Sequence, residues 1–389
     1  LLDKARLARN RPVKVGVVLP LTGVYQEQGL GVLRGIDFAY MQTKDQWPVP
    51  VQLGVRDSES RLIKAIRATN ELIRRQRVPV IVGELESDAT AAIGAIASLQ
   101  NVTVVAPTAT ENEVASVGDA IFQLNSDLER KGQELARYAF NQLGLRTFAT
   151  LAPADPYGEQ MTTSFTSTID ELGGRIIAQT WYYGNVQDLS RQFKAIREAA
   201  FAYDSTDVEA LIEEARENNQ NLDEKDIPVE SIDAIFLPVY VDDIKYVAPQ
   251  FALANIRAQI LGGEYWDDLE TLTAPQIQRY VDGAIFVSDY YPDESNPDFR
   301  SFRRDFRLKM KRTPERWEVF GYDAYQIIQQ AIQRNARTGR EFKQRMTSLR
   351  TYAGMKGLIS FKGSRHVNNA VNFLQFINGR IVKHSIDTR

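Results

Sequence analysis

Short apolar runs recur along this chain, and each is followed by a stretch with helical spacing. Val13-Lys14-Val15-Gly16-Val17-Val18-Leu19 is the first, a run suited to a strand buried on both faces. A turn at Pro20–Gly23 leads to a helix over Gln28–Thr43, then a strand at Val51–Val55 ending in Arg56-Asp57-Ser58. Arg61–Arg75 places Leu62, Ile66, Leu72 and Ile73 at helical spacing, ahead of a strand over Val78–Val82. Gly83–Thr90 reads as a loop opening a helix of small residues, Ala91–Leu99, and Val102–Val105 as the strand closing this half. A second round begins near Leu128, with strands at Thr147–Ala152, Arg175–Ala178, Ala234–Leu237, Gln259–Leu261 and Ala284–Val287. Helices are expected between them at Tyr157–Leu172, Leu189–Ala199 and Pro249–Ala254, and later at Asp298–Lys311 and Val319–Arg334. Val371–Ile377 and Arg380–His384 form a hairpin turning at Asn378-Gly379. Such alternation predicts an α/β architecture of two doubly wound, Rossmann-like lobes. Sheets of this kind bind ligands at the carboxyl ends of their strands, so two facing lobes could enclose a solute.

Several function classes are disfavoured. At 389 residues the chain exceeds one ordinary core, and its 43% apolar and 25% charged residues are those of a folded protein. A net charge of -3 provides no global basic field for nucleic acid, and Leu1–Arg11 is too short for a helix-turn-helix module. Without cysteine there is no disulfide, thiolate metal site or cysteine nucleophile. Two histidines, His366 and His384, leave little for a metal site or a Ser-His-Asp triad. No GxSxG, P-loop or metal signature is present, so neither an enzyme nor a cofactor is expected. No apolar run has the length of a membrane span. Leu1-Leu2-Asp3-Lys4-Ala5-Arg6 is a polar helical start rather than a signal peptide, so the N-terminus reads as processed or cut from a longer chain, with 1–12 as an extension.

One stretch breaks the alternation. Residues 203–233 hold eleven acids against two bases, and read as an acidic surface insertion carrying an amphipathic helix at Val208–Glu217, or as a cation- or partner-docking patch.

Four motifs, each at the end of an expected strand, resemble the branched-chain amino-acid-binding proteins of ABC transporters, within the periplasmic-binding-protein type I superfamily. They are Val15–Gly23 with Gly29 and Arg34-Gly35; Gly83-Glu84-Leu85-Glu86-Ser87-Asp88-Ala89-Thr90 with Ala106-Pro107-Thr108-Ala109-Thr110; Asp155-Pro156-Tyr157-Gly158; and Leu261-Gly262-Gly263-Glu264. The resemblance implies an extracytoplasmic, non-enzymatic protein that closes around a small polar ligand, an amino acid first, and serves ABC-transporter membrane subunits. The same fold used as a ligand sensor or protein-docking regulator, as in the activators of penicillin-binding proteins, is the alternative. It implies three crossings at a hinge, with 13–126 plus 289–358 as lobe 1 and 127–288 plus 359–389 as lobe 2. It also implies ligand contacts from Thr108 and Ala109, an α-carboxylate at Ser87, an ammonium at Thr110 and Glu264, and a wall of Tyr157 and Tyr240. From the residues alone, Ser87 or Asp88 serves equally as a helix cap, Thr110 as a turn, Tyr157 as a core aromatic and Glu264 as a surface acid. Departures from the family pattern are Gln28 in place of an aromatic contact, Glu84 and Glu86 beside the carboxylate position, the bulk of Tyr265-Trp266, and Lys362.

Overall fold

The computed structural model describes residues 12–44, 49–184, 186–363 and 366–384; the helical lead at Leu1–Asn10 lies outside them. Along the chain come β1 (Val13–Leu19), α1 (Gln26–Thr43), β2 (Val51–Asp57), α2 (Leu62–Glu71), β3 (Val80–Val82), α3 (Ser87–Leu99), β4 (Thr103–Ala106) and β5 (Ile121–Gln123). Next are α4 (Leu128–Asn141), β6 (Thr147–Pro153), α5 (Pro156–Leu172), β7 (Arg175–Tyr182), α6 (Ser190–Asp204), α7 (Val208–Glu217), β8 (Ala234–Leu237), α8 (Val241–Leu253), β9 (Gln259–Gly262) and β10 (Ile285–Ser288). The chain closes with α9 (Pro297–Met310), α10 (Arg316–Gln333), α11 (Gly339–Thr347), β11 (Tyr352–Gly354), β12 (Gly357–Ile359), β13 (Asn372–Ile377) and β14 (Arg380–Lys383).

Two compact units result: Leu1–Asp127 with Asp289–Ala370, and Leu128–Ser288 with Val371–Arg389. Unit 1 carries a sheet in the order β2-β1-β3-β4-β5, parallel at every pairing. Unit 2 repeats that winding as β7-β6-β8-β9-β10, then adds β13 and β14 antiparallel at the β10 edge. Both are doubly wound α/β sheets, the fold class read from the alternation.

Some boundaries differ from the sequence reading, each for a physical reason. α3 starts at Ser87 rather than Ala91, because Glu86 is extended and its carbonyl accepts the Thr90 N–H, the first helical bond. α8 runs from Val241 through Pro249, where the sequence suggests a helix beginning at that proline. Its buried stripe of Ile244, Val247, Ala248 and Phe251 outweighs the one backbone bond that proline cannot make. The segment 359–370, read from the sequence as part of lobe 2, packs in unit 1. Phe361 meets Phe122 edge to face at 5.5 Å, and Val367 and Asn368 extend the sheet beside β5, with Gln123 N–H donating to the His366 carbonyl at 2.9 Å.

The Arg34-Gly35 pair of the first motif is explained by packing. A β-carbon at Gly35 would lie 1.9 Å from the Glu318 carbonyl oxygen, and one at Gly321 would lie 2.0 Å from that of Val32. α1 and α10 therefore touch backbone to backbone, and the adjacent Arg34 pairs at 2.8 Å with the buried Glu318.

Unit 1 also buries a lysine. Lys356, in the turn between β11 and β12, is 1% exposed and donates from Nζ to the Leu124 carbonyl at 2.6 Å and to Asn125 Oδ1 at 2.5 Å. The Asp323 carboxylate of α10 grips the same turn, accepting from the N–H groups of Met355 at 2.8 Å and Lys356 at 3.0 Å. Burial raises the Asp323 pKa, while those two amides and the lysine charge act in the opposite sense. Replacing Lys356 by Met should lower the stability of unit 1 by about 3–5 kcal/mol, since it leaves a carbonyl and an amide oxygen without their donor and removes the cation near the buried Asp323. Urea unfolding of the variant measures this, and an unchanged midpoint would contradict it.

Candidate functional site

In unit 1 the loops at the carboxyl ends of β1, β2, β3 and β4 converge. Those after β2, β3 and β4 frame a pocket of about 180 Å³ lined by Arg61, Leu62, Glu84, Glu86, Ser87, Asp88, Ala89 and Glu111. This is the position at which open α/β sheets bind ligands.

Of the expected residues Ser87 lines this pocket, while Thr108, Ala109 and Thr110 lie on the adjoining loop, and their polar atoms knit the loops. Ser87 Oγ accepts from the backbone N–H of Thr110 at 3.2 Å and of Glu111 at 3.1 Å. Thr108 donates its hydroxyl to the Leu85 carbonyl at 2.7 Å. Ala109 is buried, its carbonyl accepting from the Gln123 amide at 3.4 Å. The side chain of Glu84, 2% exposed, accepts from Leu85 N–H at 2.7 Å and from the Ser58 hydroxyl. A carboxylate of the chain thus already occupies loop amides that an incoming carboxylate could use.

Four acids and one arginine set the electrostatics. Burial raises the Glu84 pKa, and burial together with Asp88 and Glu86 raises that of Glu111. Such a pocket favours a cationic group beside the acids, with Arg61 available to an anionic one. Sequence reasoning missed Arg61, Glu111 and Tyr25, whose phenol is raised by its hydrogen bond to Glu86. Arg61 follows the strand-end Arg56-Asp57-Ser58, so the carboxyl-end rule contained the signal. Tyr25 supplies an aromatic in the first loop, three residues before Gln28.

In unit 2, Tyr157, Tyr240 and Glu264 also come together. Tyr157, Tyr240 and Tyr265 pack as a trio, with ring centroids 5.0, 4.9 and 5.2 Å apart. Asp155 orients it, capping α5 through Gly158 N–H at 2.9 Å and accepting from Tyr240 Oη at 2.9 Å. Gly158 is required there, since a β-carbon would lie 2.0 Å from the Pro153 carbonyl oxygen. The Tyr157 hydroxyl is buried with no hydrogen-bond partner among the described residues, and burial holds its pKa well above the ordinary phenol value. The bulk of Trp266 lies inside the unit, its indole N–H donating to the Leu237 carbonyl at 2.8 Å.

Glu264 differs most from the reading of a carboxylate held for a ligand ammonium. It forms an ion pair with Lys131 of α4, a lysine with no exposed side-chain surface. Glu264→Gln should therefore lower the stability of unit 2 without ligand, because it removes a carboxylate paired with the buried Lys131. Thermal or urea unfolding of the ligand-free variant tests this, and a wild-type transition would refute it.

Among the described residues no helix is long and apolar enough to cross a membrane, and no group of histidines and acids could hold a metal ion. A family model described as "Periplasmic binding protein" matches residues 12–380. The penicillin-binding protein activator LpoA of Aliivibrio fischeri is 21% identical over 341 residues, covering 86% of this chain and 53% of the relative, so the chain spans about half that protein's length. The leucine binding protein LivK from Thermotoga maritima superposes with a TM-score of 0.68 at 23% identity, over 96% of this chain and 98% of that one. The solute binding protein of an ABC transporter from Rhodopseudomonas palustris, in complex with 3,4-dihydroxy benzoic acid, superposes with a TM-score of 0.68 at 16% identity, over 96% and 95%. At these identities the structures bear on the fold alone. With the model matching nearly the whole chain, and with two doubly wound sheets whose parallel strands follow the same order, this protein belongs to the periplasmic binding protein family, with the type I fold.

Proposed function

We propose that this chain is an extracytoplasmic binding protein whose unit 1 pocket takes a small polar ligand bearing an ammonium group, an amino acid first, for delivery to an ABC transporter. One observation carries the reading: at the strand ends, Glu84, Glu86, Asp88 and Glu111 surround a pocket with a single arginine, Arg61. An ammonium suits the acids and an α-carboxylate suits Arg61, so a zwitterion matches both signs. In this assignment Ser87, Thr108, Ala109 and Thr110 shape the loops and offer only their remaining hydrogen-bonding capacity to the ligand. The likeness to a leucine binding protein and to an ABC-transporter solute binding protein supports the class.

A second reading, regulation of a partner protein, rests on Lys131. It fills the place beside Glu264 where the family resemblance puts a ligand ammonium, and the likeness to a penicillin-binding protein activator runs over 86% of this chain. In that reading Tyr157, Tyr240 and Tyr265 are packing residues, and the partner is a protein such as a penicillin-binding protein.

Calorimetric titration of the purified protein with each amino acid and with simple amines separates the two. Saturable heat with one chemical class supports delivery; no heat with any of them, together with retention of a penicillin-binding protein, supports regulation. For a ligand that binds, Glu111→Gln should weaken affinity about tenfold, the scale of one partly screened charge-assisted contact. Protonation of the acids removes their attraction for a cation, and the Glu84 and Glu111 pKa values are raised. Affinity should therefore be full at neutral pH and begin to fall, on acidification, above the ordinary carboxylate range. A pH-independent affinity, or one unchanged in Glu111→Gln, would place the ligand elsewhere.

A further inference from the structure

Two exposed helix faces of opposite charge remain outside the site. α9 buries Phe299, Phe302 and Phe306, and on its opposite side Arg300, Arg304 and Arg307 follow one another at helical spacing. At about 1.5 Å and about 100° per residue, these three fall within an arc of about 60° along about 11 Å, and the exposed Lys311 follows just past the helix end. From Arg300 to Arg312 the chain holds seven bases against one acid, Asp305. α7 is the counterpart in unit 2. It buries only Ala215, and Glu209, Glu213 and Glu217 stand on its outer face along about 12 Å, flanked by Glu214.

Neither row is neutralised. Of the α9 row, Arg304 pairs with its neighbour Asp305 and Arg300 donates to the backbone carbonyls of Glu294 and Ser295. Among the described residues, Arg300, Arg307, Lys311, Glu209, Glu213 and Glu217 make no ion pair. A ten-residue helix is marginal by itself, and α7 also leaves Leu211 39% exposed, so it gains from a surface laid against it. The two rows have the same spacing, one charge about every turn, so opposed helices can pair several charges in one register.

We propose that the acidic face of α7 docks on the basic face of α9 in a second copy of this chain, giving a salt-sensitive self-association. Reciprocal docking closes a two-fold dimer, while one-sided docking adds copies head to tail. Several charge pairs acting together give a measurable contact where a single exposed pair would not.

Sedimentation velocity of the whole chain over a concentration series, at about 20 mM and about 500 mM salt, tests this, since the Debye length shortens severalfold between them. Self-association should appear at low salt and weaken tenfold or more at high salt. The triple variant Arg304→Glu, Arg307→Glu, Lys311→Glu should remain monomeric at low salt, as should Glu209→Lys, Glu213→Lys, Glu217→Lys. Mixing the two should restore association, because the reversed rows are complementary between them. Circular dichroism melts identify any variant that fails to fold, and neutral versions with Gln at the same positions then replace it. A wild-type monomer at low salt, or variants that associate as the wild type does, would overturn the proposal.

Discussion

A lysine ammonium withdrawn from water must find hydrogen-bond acceptors and an opposite charge, or the fold cannot hold it. Lys356 meets that demand through Leu124, Asn125 and the Asp323 carboxylate that grips its turn. Leu124 and Asn125 directly precede the place where the chain leaves unit 1. Close by, Ser126 donates its N–H to Asp289 at 2.8 Å and its hydroxyl to the Ala370 carbonyl at 3.1 Å. Residues at all three passages between the units are thus tied together on the unit 1 side. The backbone of Tyr291, just past the second passage, also donates to the Lys356 carbonyl at 3.1 Å. The β11–β12 hairpin, which gives no strong periodic signal in the sequence, holds this network.

Unit 2 uses the same solution once more, with Lys131 buried against Glu264. The consequence is functional as well as structural. A glutamate at the end of a cleft-type strand suggests a counter-charge for a ligand, and Leu261-Gly262-Gly263-Glu264 encourages that reading. Here Glu264 pairs with the buried Lys131, and Glu84 accepts from loop amides of unit 1. Arg61 and Glu111, which lie outside the motifs, also line the unit 1 pocket.

Much of the fold was legible in the residues. Buried-type strands such as Val13–Leu19 and Ala234–Leu237 are short and apolar on both faces, and that pattern admits few structures besides a covered parallel sheet. The Asn378-Gly379 turn was legible because both residues take positive φ, 51° and 73°, which this dipeptide tolerates best. β5 and 359–370 were not, since three residues of sheet edge and an irregular segment carry no period. α8 was obscured by Pro249, whose local penalty the buried face of the helix overrides.

The sequence by itself determined the winding of the two sheets, the loops that gather at their strand ends, and the absence of cysteine chemistry, because each follows from local pattern or composition. Only the tertiary structure decided what the charged residues in those loops do. Glu264 and Lys131 are 133 residues apart, and Ser87 meets the amides of Thr110 and Glu111 across two loops. Whether a carboxylate faces a ligand or a buried lysine depends on which side chains the fold places within a few ångströms of it, and no periodicity in the sequence encodes that distance.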